Sequence, residues 1–222
     1  MQPETFAENL IFPEGSRWKS NKLICSDIFS NEVISFTESG NKETVVRIEG
    51  LPVGLGWNKN DDLLINSLQD KKVLVYDGES TKEYANIGVH EDNYINDMTT
   101  DSLGRAYIGT VALESFNENI PIAPDNMPTF SSIMLVDTDG SVRRVADRMT
   151  FTNGMAISPD GKKLVVAETF AYRLSIFDIK PNGDLENRRI FADLGAPTDG
   201  ITMDAKGRVW VAIPYYTFGG PG

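Results

Sequence analysis

One pattern recurs along this chain and restricts the folds open to it. The segment from Thr152 to Ile179, TNGMAISPDGKKLVVAETFAYRLSIFDI, reads as a complete β unit: Leu164–Ala167 and Leu174–Ile179 are short apolar runs, and Ser158-Pro-Asp-Gly-Lys162 precedes them. In that bend the proline presets one turn residue and the glycine tolerates positive φ. Related turns stand at Asp101-Ser-Leu-Gly-Arg-Ala-Tyr107, Asp204-Ala-Lys-Gly-Arg-Val-Trp210, Asn58-Lys-Asn-Asp-Asp-Leu63 and Trp18-Lys-Ser-Asn-Lys-Leu23. The residues that follow these turns, Leu23, Leu63, Tyr107, Leu164 and Trp210, are separated by 40, 44, 57 and 46 residues. A period of that size, with about four short strands per unit, predicts an all-β chain folded as a β-propeller. The unit boundaries fall at about 10–49, 50–92, 94–150 and 151–193, with an incomplete unit over 197–222, all in a single domain.

The third unit is long because 113–130, with three prolines, three asparagines and no strand period, interrupts it. Loops of that length in compact domains are usually functional or disordered, and this one reads as a lid over a site, with Phe116 and Phe130 as residues that set substrate size. Composition narrows the function. The 222 residues carry a net charge of −11, and no Lys/Arg cluster offers a footprint for nucleic acid. No apolar run is long enough for a transmembrane helix, and Met1–Leu10 lacks the basic start and apolar core of a signal peptide, so a cytoplasmic location is expected. The lone cysteine, Cys25, forms no intramolecular disulfide and reads as a packed small hydrophobe; the lone histidine, His90, reads as a surface loop residue.

Chemistry emerges from the register of the repeats. Asn96, Asn153 and Asp199 each lie 11 positions before Tyr107, Leu164 and Trp210, while Glu14 lies nine before Leu23, where the turn is shorter. The first strand of a propeller blade lines the central channel, so these repeats aim one Glu, two Asn and one Asp at a common axial point. The second unit has Val53-Gly54 there instead. An all-oxygen set of two carboxylates and two amide carbonyls suits a hard cation, Ca2+ best of all, with other divalent cations admissible. The competing reading is that Asn-Gly and Asp-Gly are simply turn formers, which leaves Glu14 and Asn96-Asp97 unexplained.

The motifs FPEGSRW (12–18), YINDMTTDSLGRAYIGT (94–110), FTNGMAISPDGKKLVVAET (151–169) and PTDGITMDAKGRVWVA (197–212) resemble those of the SMP-30/gluconolactonase/LRE-like family, and more distantly the diisopropyl-fluorophosphatase type of propeller. The resemblance implies a six-bladed, calcium-dependent propeller that hydrolyses lactones, with the last blade missing or cut short in this chain. It implies metal ligation by Glu14, Asn153 and Asp199. It gives Asn96 a metal or substrate role and Glu114 the place of a substrate-binding carboxylate. Tyr94, which stands where sugar-lactone members commonly have an arginine, is likewise assigned to substrate. Asp199 is expected to act also as the catalytic base, and Asp97 either as a second base or as a pin for the Asn96 loop. The partner expected is a small-molecule substrate, without nucleic acid or membrane; the oligomeric state is left open. Rival functions are a phosphotriester-type hydrolase on the same metal site and a non-catalytic, calcium-stabilised binding propeller.

Overall fold

The computed structural model describes residues 5–112 and 131–214. Glu114, Phe116, Phe130 and the proposed lid therefore lie outside the described residues. The rest is an all-β propeller. Its first sheet holds β1 (Pro13–Lys19), β2 (Lys22–Asp27), β3 (Glu32–Thr37) and β4 (Lys42–Arg47), hydrogen-bonded in chain order and antiparallel throughout. The second holds β5 (Pro52–Trp57), β6 (Leu63–Ser67), β7 (Lys72–Tyr76) and β8 (Thr81–Asn86). The third is built from β9 (Tyr94–Thr100), β10 (Ala106–Val111), β11 (Ser131–Val136) and β12 (Val142–Met149). The fourth contains β13 (Thr152–Ile157), β14 (Lys163–Glu168), β15 (Arg173–Ile179) and β16 (Leu185–Asp193). A two-stranded sheet, β17 (Ile201–Met203) and β18 (Val209–Val211), follows.

The recurring polar turns join the first strand of a sheet to its second. In three of them Gly104, Gly161 and Gly207 adopt φ of +83°, +71° and +77°, and Asp61 takes the same place with φ +70°. The polar residue that opens the turn caps it: Asp101 Oδ1 accepts from the amides of Leu103 and Arg105, and Asp204 Oδ1 from those of Lys206 and Arg208. Each four-stranded sheet packs apolar residues on both faces, which explains the nearly continuous apolar runs in the second strands. Alternate residues of β2 divide between neighbours: Ile24 packs with Val33, Leu55 and Ile65 between the first two sheets, while Leu23 and Cys25 face Ala7 and Leu10. Leu64, Ile95, Met98 and Met134 fill the next interface, and Tyr107, Leu135, Leu164 and Phe177 the one after. The first strands β1, β5, β9, β13 and β17 contact one another in succession, which makes them the innermost layer. Among the described residues no helix is long and apolar enough to cross a membrane.

Candidate active site at the centre of the sheets

The candidate ligands stand at one recurring irregularity. Pairing between first and second strands slips by one residue between Glu14 and Arg17, between Pro52 and Leu55, and between Thr152 and Met155; on β9 the slip falls between Ile95 and Met98. Such a bulge leaves one residue out of the ladder and turns its side chain away from the sheet plane. Asn96 and Asn153 fall in the unpaired stretch of their strands, Glu14 is the last paired residue before its own, and Asp199 precedes β17, anchored by its amide to the Ala212 carbonyl at 3.0 Å.

The glycine after Asn153 answers the turn-former reading. Gly154 sits within β13 with no left-handed φ, and a β-carbon there would lie 2.4 Å from the Ile201 nitrogen and 2.8 Å from the Asp199 oxygen. Its role is close approach to the next sheet, which brings Asp199 up to Asn153. Gly54 approaches Asn96 and Met98 in the same way: a β-carbon on it would lie 2.4 Å from the Met98 nitrogen.

Carboxylates from three inner segments come within range of one another as a result. Glu14 and Asp199 line one cleft of about 630 Å3 together with Arg17 and Asp97. Burial pushes the Glu14 carboxyl up to about 7, helped by the charges of Asp199 and Asp97 and opposed by the Gly15 amide and Arg17. The Asp199 carboxyl is also raised, by burial and by Asp97, against hydrogen bonds from Asn153 and the Gly200 amide. The Asn153 Nδ2 donates to Thr169 Oγ1 at 3.1 Å, and the Asn96 Nδ2 donates to the Thr152 carbonyl at 3.1 Å. Both amides thus have nitrogens engaged by protein acceptors, which leaves their oxygens available to a cation. No group of three or more His, Cys, Asp or Glu side chains is arranged for a metal among the described residues. The donor set here comprises two carboxylates and two amides, and its chemistry fits a hard divalent ion.

Asp97 has a different setting. It is 7% exposed, accepts from Arg17 Nη2 at 2.9 Å and from the Met98 amide at 2.8 Å, and is thereby held against the strand. Arg17 spans three sheets: it starts on β1, donates from Nε to the Leu55 carbonyl at 3.1 Å and bonds the Met98 carbonyl. The sequence analysis assigns Arg17 no role, although a guanidinium three residues after Glu14 on the first strand is a visible signal. Tyr94 opens β9 half-buried, with Lys71 Nζ 5.0 Å from its ring centroid. Cys25 is buried and its thiol is pushed up to about 11 by burial and the nearby Asp27 charge; His90 is exposed.

The model of the SMP-30/Gluconolactonase/LRE-like region matches residues 12–217. The chain belongs to this family. Regucalcin of Gallus gallus is 24% identical over 200 residues, covering 87% of this chain and 64% of its own length. Among solved structures, a gluconolactonase from Xanthomonas campestris superposes with a TM-score of 0.76 at 20% identity, over 93% of this chain and 71% of that one. A calcium-binding protein, regucalcin, from Agrobacterium tumefaciens superposes with a TM-score of 0.75 at 21% identity, over 92% and 68%. The chain thus spans about two thirds of the length of these proteins.

Proposed function

We propose that this protein is a hydrolase that opens the ring of small-molecule lactones and depends on a divalent cation, calcium by preference. One observation carries the reading: the Glu14 and Asp199 carboxyls, both raised by burial and charge, share one cleft, and Asn153 bonds Asp199; Asn96 and Asn153 are proposed to add their amide oxygens. Asp97 is ion-paired with Arg17, so Glu14 and Asp199 are the carboxylates left to meet a divalent ion, whose binding would favour the ionised form of both. The family and the relatives named as gluconolactonase and regucalcin support the same reading; a ring of the six-bladed type is proposed with it.

A bound cation supplies Lewis-acid polarisation of the lactone carbonyl. The chain's residues do the rest. Glu14, Asn96, Asn153 and Asp199 would hold the ion. Asp199, whose burial makes its carboxylate a stronger base than an exposed one, accepts a proton from the attacking water. The water oxygen adds to the acyl carbon, the bond from that carbon to the ring oxygen breaks, and the proton passes to the departing ring oxygen. The product is the open hydroxy acid. Tyr94 stands two residues before Asn96 and is proposed to contact substrate; Glu114 is proposed to do the same.

The test is hydrolysis of a panel of aliphatic, aromatic and sugar lactones, with a phosphotriester alongside, in added calcium and in chelator. Calcium-dependent opening of a lactone is the expected result. Turnover of the phosphotriester alone, or calcium binding without turnover of any substrate, would reject the lactonase reading.

A further inference from the structure

Three buried side-chain oxygens have no hydrogen-bond partner among the described residues: Ser26 Oγ, Asn66 Oδ1 and Thr198 Oγ1. Each adjoins a different site residue. Ser26 pairs across the ladder with Glu14, Thr198 precedes Asp199, and Asn66 donates from Nδ2 to the Asn96 carbonyl at 2.7 Å. An unpaired buried polar atom forfeits its hydration without a compensating hydrogen bond and calls for a compensating role.

Asn66 gives the clearest case. It lies on β6 with no exposed surface, three residues after Leu63. The corresponding places opposite the bulge in the other three four-stranded sheets hold Cys25, Gly109 and Ala167, so an amide is not what the strand requires. The second sheet also lacks a site residue at its own bulge, where Val53 stands. What this sheet offers instead is support for Asn96. Gly54 lets its backbone press against the Asn96–Met98 main chain, and Asn66 grips the Asn96 carbonyl from the side. The Asn96 amide nitrogen is tied to the Thr152 carbonyl of the fourth sheet. With its main chain held from the second sheet and its side-chain nitrogen from the fourth, the Asn96 amide has one orientation.

We propose that Asn66 is a positioning residue: it fixes the Asn96 main chain so that the Asn96 amide oxygen joins Glu14, Asn153 and Asp199 as a cation ligand, and it is retained for its N–H donor despite an unpaired Oδ1. This rests on the cation-dependent reading above.

The experiment compares the wild-type chain with Asn66→Leu, which keeps the volume, and Asn66→Ala, which carries the residue found at the matching place of the fourth sheet. Calcium affinity is measured by calorimetry, Tm in chelator and in calcium, and kcat and KM at saturating calcium. Removing the donor exchanges one unpaired oxygen, Asn66 Oδ1, for another, the Asn96 carbonyl. Tm in chelator should therefore change little in at least one variant. Calcium Kd should rise at least fivefold in both, the calcium-induced gain in Tm should shrink accordingly, and kcat should fall more than KM rises. A wild type that binds calcium, with variants of unchanged Kd, overturns the inference alone. So does a loss of Tm in chelator with an undiminished calcium-induced gain, which marks a purely structural residue. A wild type that binds no calcium overturns the proposed function and this inference with it.

Discussion

Replacing Gly154 by alanine tests whether the site depends on how closely two sheets approach. The added β-carbon would lie 2.4 Å from the Ile201 nitrogen, 2.8 Å from the Asp199 oxygen and 2.8 Å from the Gly200 α-carbon. These are backbone atoms, so no side chain can swing aside. Restoring an ordinary contact requires a movement of about 1 Å between the fourth sheet and the segment that carries Asp199. Overpacking of this kind costs about 1–3 kcal/mol, and at about 2–4 °C per kcal/mol Tm should fall by about 2–12 °C. A glycine-to-alanine change in an unstrained strand would instead stabilise by about 0.4–1 kcal/mol through the unfolded chain, so the sign alone is informative. Displacing Asp199 from Asn153 by about 1 Å should cost about 100-fold in kcat/KM and weaken calcium binding. The control for packing is Gly200→Ala: a β-carbon there meets no described atom within 4 Å, so Tm should stay near wild type. Scanning calorimetry and lactone hydrolysis read both outcomes. Wild-type activity and Tm in Gly154→Ala, or an equal fall in Tm from both substitutions, would refute the packing argument.

Asp199→Ala removes the proposed charged ligand and the proposed base together; hydrolysis should vanish and calcium Kd rise by about tenfold or more, and retention of both would reject the site. Glu168 is fully buried and accepts from the Thr150 amide at 3.0 Å, Arg173 Nε at 3.1 Å and Arg188 Nη2 at 2.9 Å. Burial alone would raise its carboxyl, but hydrogen bonds from Arg173 and Ser175 and the Arg188 charge outweigh it and hold it below the usual range. Glu168→Ala should therefore cost about 3–5 kcal/mol, and the wild type should lose this contribution as pH falls from about 4.5 through the lower folded value; a calorimetric Tm that is unchanged, or equally pH-dependent in the variant, counts against it. Glu14 has the opposite sign: its folded carboxyl is raised to about 7 from 4.5, so the cation-free protein should lose on the order of 3 kcal/mol at most as pH rises from about 4.5 to about 7. Tm against pH in chelator should flatten in Glu14→Gln, and a profile of unchanged slope would show that Glu14 is not the group responsible.

The propeller was legible because its punctuation is local. Asp101-Ser-Leu-Gly104 and Ser158-Pro-Asp-Gly161 specify their turns within four residues, and the left-handed φ each glycine supplies is a property of that short stretch. The 11-residue spacing from Asn96, Asn153 and Asp199 to their strand anchors was legible for the same reason, since it spans one strand and one turn. What the spacing did not reveal was the bulge. Asn153-Gly154 reads as a turn by composition, and only the neighbouring sheet shows why the second residue has no β-carbon. Arg17 and Asp97 meet across 80 positions and Asn66 reaches Asn96 across 30, distances at which sequence carries no geometric signal. The unpaired oxygens are likewise invisible until the partners around them are known.

The arrangement ties ligand chemistry to the packing between sheets. Glu14, Asn96 and Asn153 come from three different sheets and Asp199 from the segment ahead of β17, so no single sheet fixes the distance between any two of them. That distance is set where inner strands touch: by Gly15 against Val53, Gly54 against Asn96–Met98, and Gly154 against Asp199–Ile201. Arg17 adds a strap from the first sheet past the second to the third, and its charge removes Asp97 from the set of free carboxylates. A cation drawing four oxygens together would add attraction between sheets whose approach is already limited by backbone contact. Affinity for the ion and the spacing of the inner strands are then two measures of one quantity, and this is why glycines that bear no chemistry belong to the site as much as the carboxylates do.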